Sequence, residues 1–124
     1  MQIKNGIDMI EVNRIKESIE QFGEDFLNRL FTKKEQEYCE RSSIMKYQHY
    51  AARFAAKEAI FKAISENLDN SSDLSWRKIE IINNENGKPK VSFIDYNLKG
   101  VISMDLSVSH LNNYAIASFS IIFE

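Results

Sequence analysis

Residues 53–63 read RFAAKEAIFKA, and the fold turns on how this stretch is read. Alanine dominates it and neither glycine nor proline interrupts, so its propensity is helical, and the predicted helix spans residues 45–68. A surface helix gathers its charges on one side; this one scatters Arg53, Lys57, Glu58 and Lys62. With about 100° between successive residues, Lys46, His49 and Lys57 all fall within about 40° of Arg53 and form a basic stripe. Tyr50, Phe54 and Phe61 lie beside it, at roughly 60–100°. Glu58 and Lys62 follow at roughly 140° and 180°, and alanines fill the remaining arc. Such a helix has no simple solvent face, and its small-residue arc allows close packing on another element.

Working outward towards the N-terminus, residues 2–12 mix β-branched and apolar residues and read as a strand. Val12, Ile15, Ile19 and Phe22 then recur at helical spacing over residues 13–22, and Gly23 can end that helix. Phe26, Leu27, Leu30 and Phe31 suggest a short helical turn. Thr32 with Glu35 three residues on is a capping box, starting a helix that runs to about residue 41. Towards the C-terminus, NLDNSSD (67–73) reads as a loop and residues 76–82 as a strand. NNENGKP (83–89) reads as a turn, with Asn86-Gly87 supplying left-handed conformations, and residues 91–93 as the returning strand. Residues 94–100 fit either a connection or a short helix. Over residues 102–110 the alternation is clean, placing Ile102, Met104, Leu106, Val108 and His110 on one face. Leu111-Asn112-Asn113 turns the chain into a last strand over 114–123. Helices first and antiparallel strands later make an α+β chain.

At 124 residues the chain fits one domain, spanning 1–124. A net charge of -2 gives no general attraction to nucleic acid or an anionic membrane, so any anion site is local. The single cysteine, Cys39, rules out an internal disulfide and fits a reducing compartment. No basic segment followed by an apolar run opens the chain, and no apolar stretch approaches the ~20 residues that span a bilayer. The expected location is cytoplasmic.

By residue alone, two readings of the chemistry stand side by side. Glu58 and Lys62 form either an ordinary i, i+4 helix pair or, with the basic stripe, charges that a bound anion and a metal would compensate. Asp8, flanked by apolar residues in GIDMI, is either a strand-edge aspartate or a hard oxygen ligand needing a second carboxylate, for which Glu58 is the natural partner. Two carboxylates with substrate phosphates and waters suit magnesium, which polarises a phosphoryl group. His110 ends a strand in phase with its apolar face, and is either structural or a site residue. No phosphate-binding glycine loop or zinc-spaced cluster is present.

Five segments in order resemble the holo-(acyl-carrier-protein) synthases, the small group of the 4'-phosphopantetheinyl transferases. They are Gly6-Ile7-Asp8; Phe31-Thr32-Lys33-Lys34-Glu35 with Tyr38-Cys39; Arg53 to Ala63; Asn86-Gly87-Lys88-Pro89; and Ser107-Val108-Ser109-His110. The resemblance implies the 4'-phosphopantetheinyl transferase fold, a long central helix packed on a small, mainly antiparallel sheet. It also implies transfer of phosphopantetheine from coenzyme A to a serine of apo acyl carrier protein, leaving adenosine 3',5'-bisphosphate. Asp8 and Glu58 would hold Mg²⁺, and Lys62 would stabilise charge on the transferring phosphoryl or leaving group. Lys46, Arg53, Lys57 and His110 would line the bisphosphate end of coenzyme A, with Asn86, Gly87, Lys88 and Pro89 near the adenine. Arg14 and the first helix would meet the acidic carrier, and a homotrimer would share its sites between subunits.

The chain departs from the family pattern at Ala52, where glycine is usual, at Phe61, where a small or polar residue is common, and at SENLDNSSD, which replaces a glycine-rich stretch. These departures motivate an alternative: a non-catalytic module on the same fold that binds coenzyme A or a carrier protein. A nucleic-acid-binding domain fits poorly, since the aromatics form no stacking platform.

Overall fold

The last strand organises the molecule. In the structure, a computed structural model describing residues 1–68 and 74–124, β5 (Tyr114–Phe123) is the middle strand of a three-stranded antiparallel sheet. It pairs with β1 (Gln2–Glu11) on one side and β4 (Val101–His110) on the other. The sequence YAIASFSIIF alternates, so Ala115, Ala117, Phe119, Ile121 and Phe123 all point to one face and are buried. Against that face lies α4 (Lys46–Ile64), whose Ala55, Ala56, Ala59 and Ala63 join Phe119 and Ile121 in one core. Small side chains on both partners bring helix and sheet close together.

The approach is tightest at Gly6. A β-carbon there would collide with the Ala59 carbonyl oxygen, so only glycine allows β1 to cross α4 at this point. Three short helices, α1 (Val12–Phe22), α2 (Glu24–Leu30) and α3 (Lys33–Glu40), cover the other flank of α4. They contribute Ile15, Ile19, Leu30 and Cys39 to a second core with Phe31, Tyr50 and Ala51. Ile10 and Val108 pack against both cores. A separate hairpin, β2 (Ile79–Asn83) with β3 (Pro89–Phe93), completes an α+β architecture.

Several boundaries differ from expectation for local reasons. The long helix ends at Ile64 and tightens into a 3₁₀ turn, Ser65–Asn67. Of the loop expected at 67–73, residues 69–73 lie outside the described residues. Trp76–Lys78 is a 3₁₀ turn, and the strand begins only at Ile79. In the hairpin turn only Gly87 takes a positive φ (82°); the Asn84 side chain does the rest, accepting from the N–H groups of Asn86 and Lys88. Residues 94–100 form no helix, their turns resting on positive φ at Asp95 and Gly100. Ile102 leaves its expected face because a bulge between Val101 and Ser103 breaks the alternation there, leaving it half exposed.

Candidate active site

Asp8 reaches its place through strand periodicity. Gly6, Asp8 and Ile10 share the helix-facing side of β1, so the close crossing at Gly6 carries Asp8 over the following stretch of α4. There the Lys62 ammonium donates to Asp8 Oδ1 at 3.0 Å and to the Ile7 carbonyl at 3.0 Å. Glu58 stands one turn earlier on the helix. Burial raises its pKa, the Asp8 charge raises it further, and Lys62 opposes both. These three residues, with Arg14 and Ser18 of α1, Phe26 of α2 and Phe54 of α4, line a cleft of about 710 Å³. Two carboxylates sharing a half-buried site with one partly exposed lysine leave negative charge uncompensated, which is an arrangement that draws a cation.

No cluster of three or more Asp, Glu, His or Cys able to hold a metal occurs among the described residues. A complete protein cage is therefore not on offer. Asp8 and Glu58 fit a magnesium ion that keeps its waters and takes its remaining oxygens from substrate phosphates.

The basic stripe divides into three fates. Arg53 is buried, 6% exposed, with its guanidinium 4.2 Å from the Tyr38 ring centroid and its Nε lacking a protein partner. It joins His49, His110, Asn83, Gly87 and Pro89 around a cavity of about 80 Å³, and also lines a wider cleft of about 500 Å³ with Lys34 and Arg41. His49 Nδ1 also lacks a partner. Burial lowers the His49 pKa, and the charges of Arg53 and His110 add to that. An anion would relieve this cluster on all counts.

Lys46 goes elsewhere. Its ammonium pairs with Glu40 at 3.0 Å, beside the Tyr50 hydroxyl that donates to the same carboxylate at 2.6 Å. Lys46 lines neither cavity around Arg53.

Lys57, expected from the resemblance at the bisphosphate end of coenzyme A, is taken up by the protein interior. Its side chain is 0% exposed and donates to Glu35 Oε1 at 2.7 Å, Leu30 O at 2.7 Å and Trp76 O at 3.0 Å. Three acceptors match the three N–H groups of an ammonium, so Lys57 has no bond left for a ligand within this chain. Glu35 is equally engaged. Its Oε1 also accepts from the Thr32 N–H, as the capping box requires, and its Oε2 accepts from the Ile81 N–H.

The hairpin turn splits as well. Gly87 and Pro89 line the Arg53 cavity, whereas Asn86 and Lys88 do not. Lys88 instead ties the hairpin to β4, donating to the Leu106 carbonyl at 3.0 Å and pairing with Asp105 at 3.1 Å. Phe61, unusual in the motif, packs its ring 5.4 Å from Trp76, which stacks on Phe54 at 5.1 Å.

Sequence reasoning missed three participants. Tyr38 stood in one of the family segments with no role assigned to it, yet it is the platform for Arg53. Glu35 announced itself through the capping box, but Ile81, which donates to its second oxygen, and Lys57, its buried cation, lie 46 and 22 positions away. Gln48, which contacts His110, carried no sequence signal. Cys39 is fully buried and its thiol is pushed up to about 12, chiefly by burial, which removes it as a nucleophile.

A family model of the 4'-phosphopantetheinyl transferase superfamily matches residues 5–118. A holo-[acyl-carrier-protein] synthase of Protochlamydia amoebophila is 44% identical over 119 residues, covering 94% of this chain and 95% of its own. One from Ruminiclostridium cellulolyticum is 42% identical, covering 94% and 90%. Among solved structures, a Helicobacter pylori holo-[acyl-carrier-protein] synthase in complex with coenzyme A aligns with a TM-score of 0.83 at 27% identity, covering 95% of this chain and 99% of its own. A Bacillus anthracis holo-(acyl-carrier-protein) synthase in complex with coenzyme A (3',5'-ADP) aligns at 0.76 with 30% identity, covering 95% and 94%. With a carboxylate pair on one edge of α4 and an anion-ready cluster on the other, the chain belongs to the 4'-phosphopantetheinyl transferase superfamily and is an enzyme of its holo-(acyl-carrier-protein) synthase group.

Proposed function

We propose that this chain transfers 4'-phosphopantetheine from coenzyme A to a serine of an apo acyl carrier protein, in a Mg²⁺-dependent reaction that releases adenosine 3',5'-bisphosphate. The observation that carries the reading is the convergence of Asp8, Glu58 and Lys62 in one cleft, with Glu58 held above its usual carboxylate range. The serine O–H bond breaks, its proton passing to one of the two carboxylates or to water; the serine oxygen bonds to the phosphorus that bears the pantetheine, the pyrophosphate P–O bond breaks, and the bisphosphate departs with the electron pair. Asp8 and Glu58 would hold Mg²⁺, which neutralises pyrophosphate charge when bound. Lys62, whose side chain is 54% exposed, is free to turn from Asp8 towards a phosphoryl oxygen. Arg53 and His110 would grip the bisphosphate end near Gly87 and Pro89. Arg14, on the cleft wall, would meet the acidic carrier.

The cleft around Glu58 and the cavity around Arg53 share no lining residue. One coenzyme A that uses both sets is best served by cleft and cavity from neighbouring copies. The outer face of the sheet supports such an assembly: Ile3 (73% exposed), Ile7 and Met9 (64%) run along β1, with Ile116 of β5 opposite Met9. We take the enzyme to be a homotrimer and to work in the cytoplasm; no helix among the described residues is long and apolar enough to cross a membrane.

The test is direct. The protein, coenzyme A, Mg²⁺ and an apo carrier should give a carrier heavier by one phosphopantetheine on its serine, and omission of Mg²⁺ should abolish the gain. A folded protein that leaves several apo carriers at their original mass would overturn the reading.

A further inference from the structure

His110 closes β4 at the edge of the Arg53 cavity, and one of its ring nitrogens is already committed. Nδ1 lies 2.8 Å from Gln48 Oε1. Gln48 stands in the first turn of α4 and is not itself part of the cavity lining. Its amide nitrogen donates in turn to Asn112 Oδ1 at 3.2 Å, in the turn just after His110. The chain Asn112–Gln48–His110 thus braces the end of β4 against the start of α4.

We propose that Gln48 is a positioning residue that holds His110 in its Nδ1–H tautomer and leaves Nε2 as the ring nitrogen available to a ligand in the Arg53 cavity. An amide oxygen only accepts, so the Nδ1 that faces it carries the hydrogen. The orientation has a second merit: an oxygen at Nδ1 serves neutral imidazole and imidazolium alike, whereas an NH₂ group there would face N–H against N–H once the ring is charged. With Nδ1 occupied, the ring cannot swing to present either nitrogen at random. The inference rests on the reading of His110 as a coenzyme A contact and adds the residue that aims it.

The chain contains two histidines, so tautomers are separable by nitrogen-15 correlation spectroscopy on histidine-labelled protein, with His49→Gln assigning the signals. In the ligand-free protein His110 should show the Nδ1–H pattern. Gln48→Met should shift it towards the Nε2–H form and raise the KM for coenzyme A by about five- to tenfold at nearly unchanged kcat, as expected for one lost orienting hydrogen bond. Gln48→Glu, which keeps an acceptor, should retain the Nδ1–H pattern, and Asn112→Ala should reproduce a weaker form of the Gln48→Met effect. An Nε2–H pattern in the unmutated protein, or one that Gln48→Met does not change, overturns the positioning role alone. A tautomer that shifts while KM stays put overturns the ligand role of His110 as well.

Discussion

Lys57 and Lys62 sit five residues apart on one helix and are built for opposite purposes. Lys57 is sealed from solvent, its ammonium shared among Glu35, Leu30 and Trp76. Lys62 is half exposed and holds one carboxylate and one carbonyl at the mouth of a cleft. The first joins α2, α3, α4 and the approach to β2 into one body; the second can change partners without disturbing any of them. The same residue type is a rivet in one place and a movable charge in the other, and burial decides which.

The sharpest way to break this contrast is to remove the rivet. Lys57→Met leaves the Glu35 carboxylate buried without its cation and should lower stability by about 3–5 kcal/mol in chemical denaturation. Adding Glu35→Gln should restore part of that, because no unpaired charge then stays buried. A loss below about 1 kcal/mol in the single variant would mean that Lys57 is not the buried tie described above.

At the cleft, Glu58→Gln should abolish Mg²⁺-dependent turnover without unfolding the protein. The sign of its stability effect is specific. Burial and the Asp8 charge raise the Glu58 pKa, so ionised Glu58 destabilises the fold as pH rises from 4.5 through the raised value. Without divalent cations near pH 8, the variant should therefore melt no lower than the parent, and higher if the cleft is as charge-strained as its electrostatics indicate. Near-normal turnover, or a large drop in melting temperature, would contradict the metal-binding role.

Lys62→Met tests the movable charge. Its ammonium competes with a cation for Asp8, so its removal should tighten Mn²⁺ or Mg²⁺ binding in the absence of coenzyme A, by about fivefold at most for a pair this exposed. Turnover should fall in the same variant. Weaker or unchanged metal binding would show that Lys62 does not guard the carboxylate.

Much of this was legible from residue order. The capping box at Thr32 and Glu35 and the returning strand over residues 114–123 are local signals, and each survives in the structure. The helical wheel placed Lys57 beside Arg53 correctly in angle, but angle does not say what lies opposite. Glu35, Leu30 and Trp76 reach Lys57 only through the packing of short helices and a 3₁₀ turn. Lys46 and Lys88 likewise carry the right charge for a phosphate yet pair with Glu40 and Asp105. Gly6 shows the reverse case: the motif marks the position, but the need for glycine becomes visible only against Ala59.

The smallest predicted effect concerns His49, on the Arg53 side of α4. Its pKa is lowered by burial first, then by the charges of Arg53 and His110. A histidine depressed in the fold is more easily protonated in the unfolded chain, so its contribution to stability is complete above about pH 6.5 and is lost as pH falls from there through its depressed folded value. His49→Gln should flatten that part of the stability–pH curve in phosphate-free buffer. A phosphate-bearing ligand should do the same to the unmutated protein, because an anion facing the His49 ring favours its charged form. Titration of the His49 ring by proton NMR with and without adenosine 3',5'-bisphosphate reads this directly. An upward shift on binding supports an anion site on this side of the helix; a resonance that ignores the nucleotide separates His49 from it and leaves that cavity to Arg53 and His110.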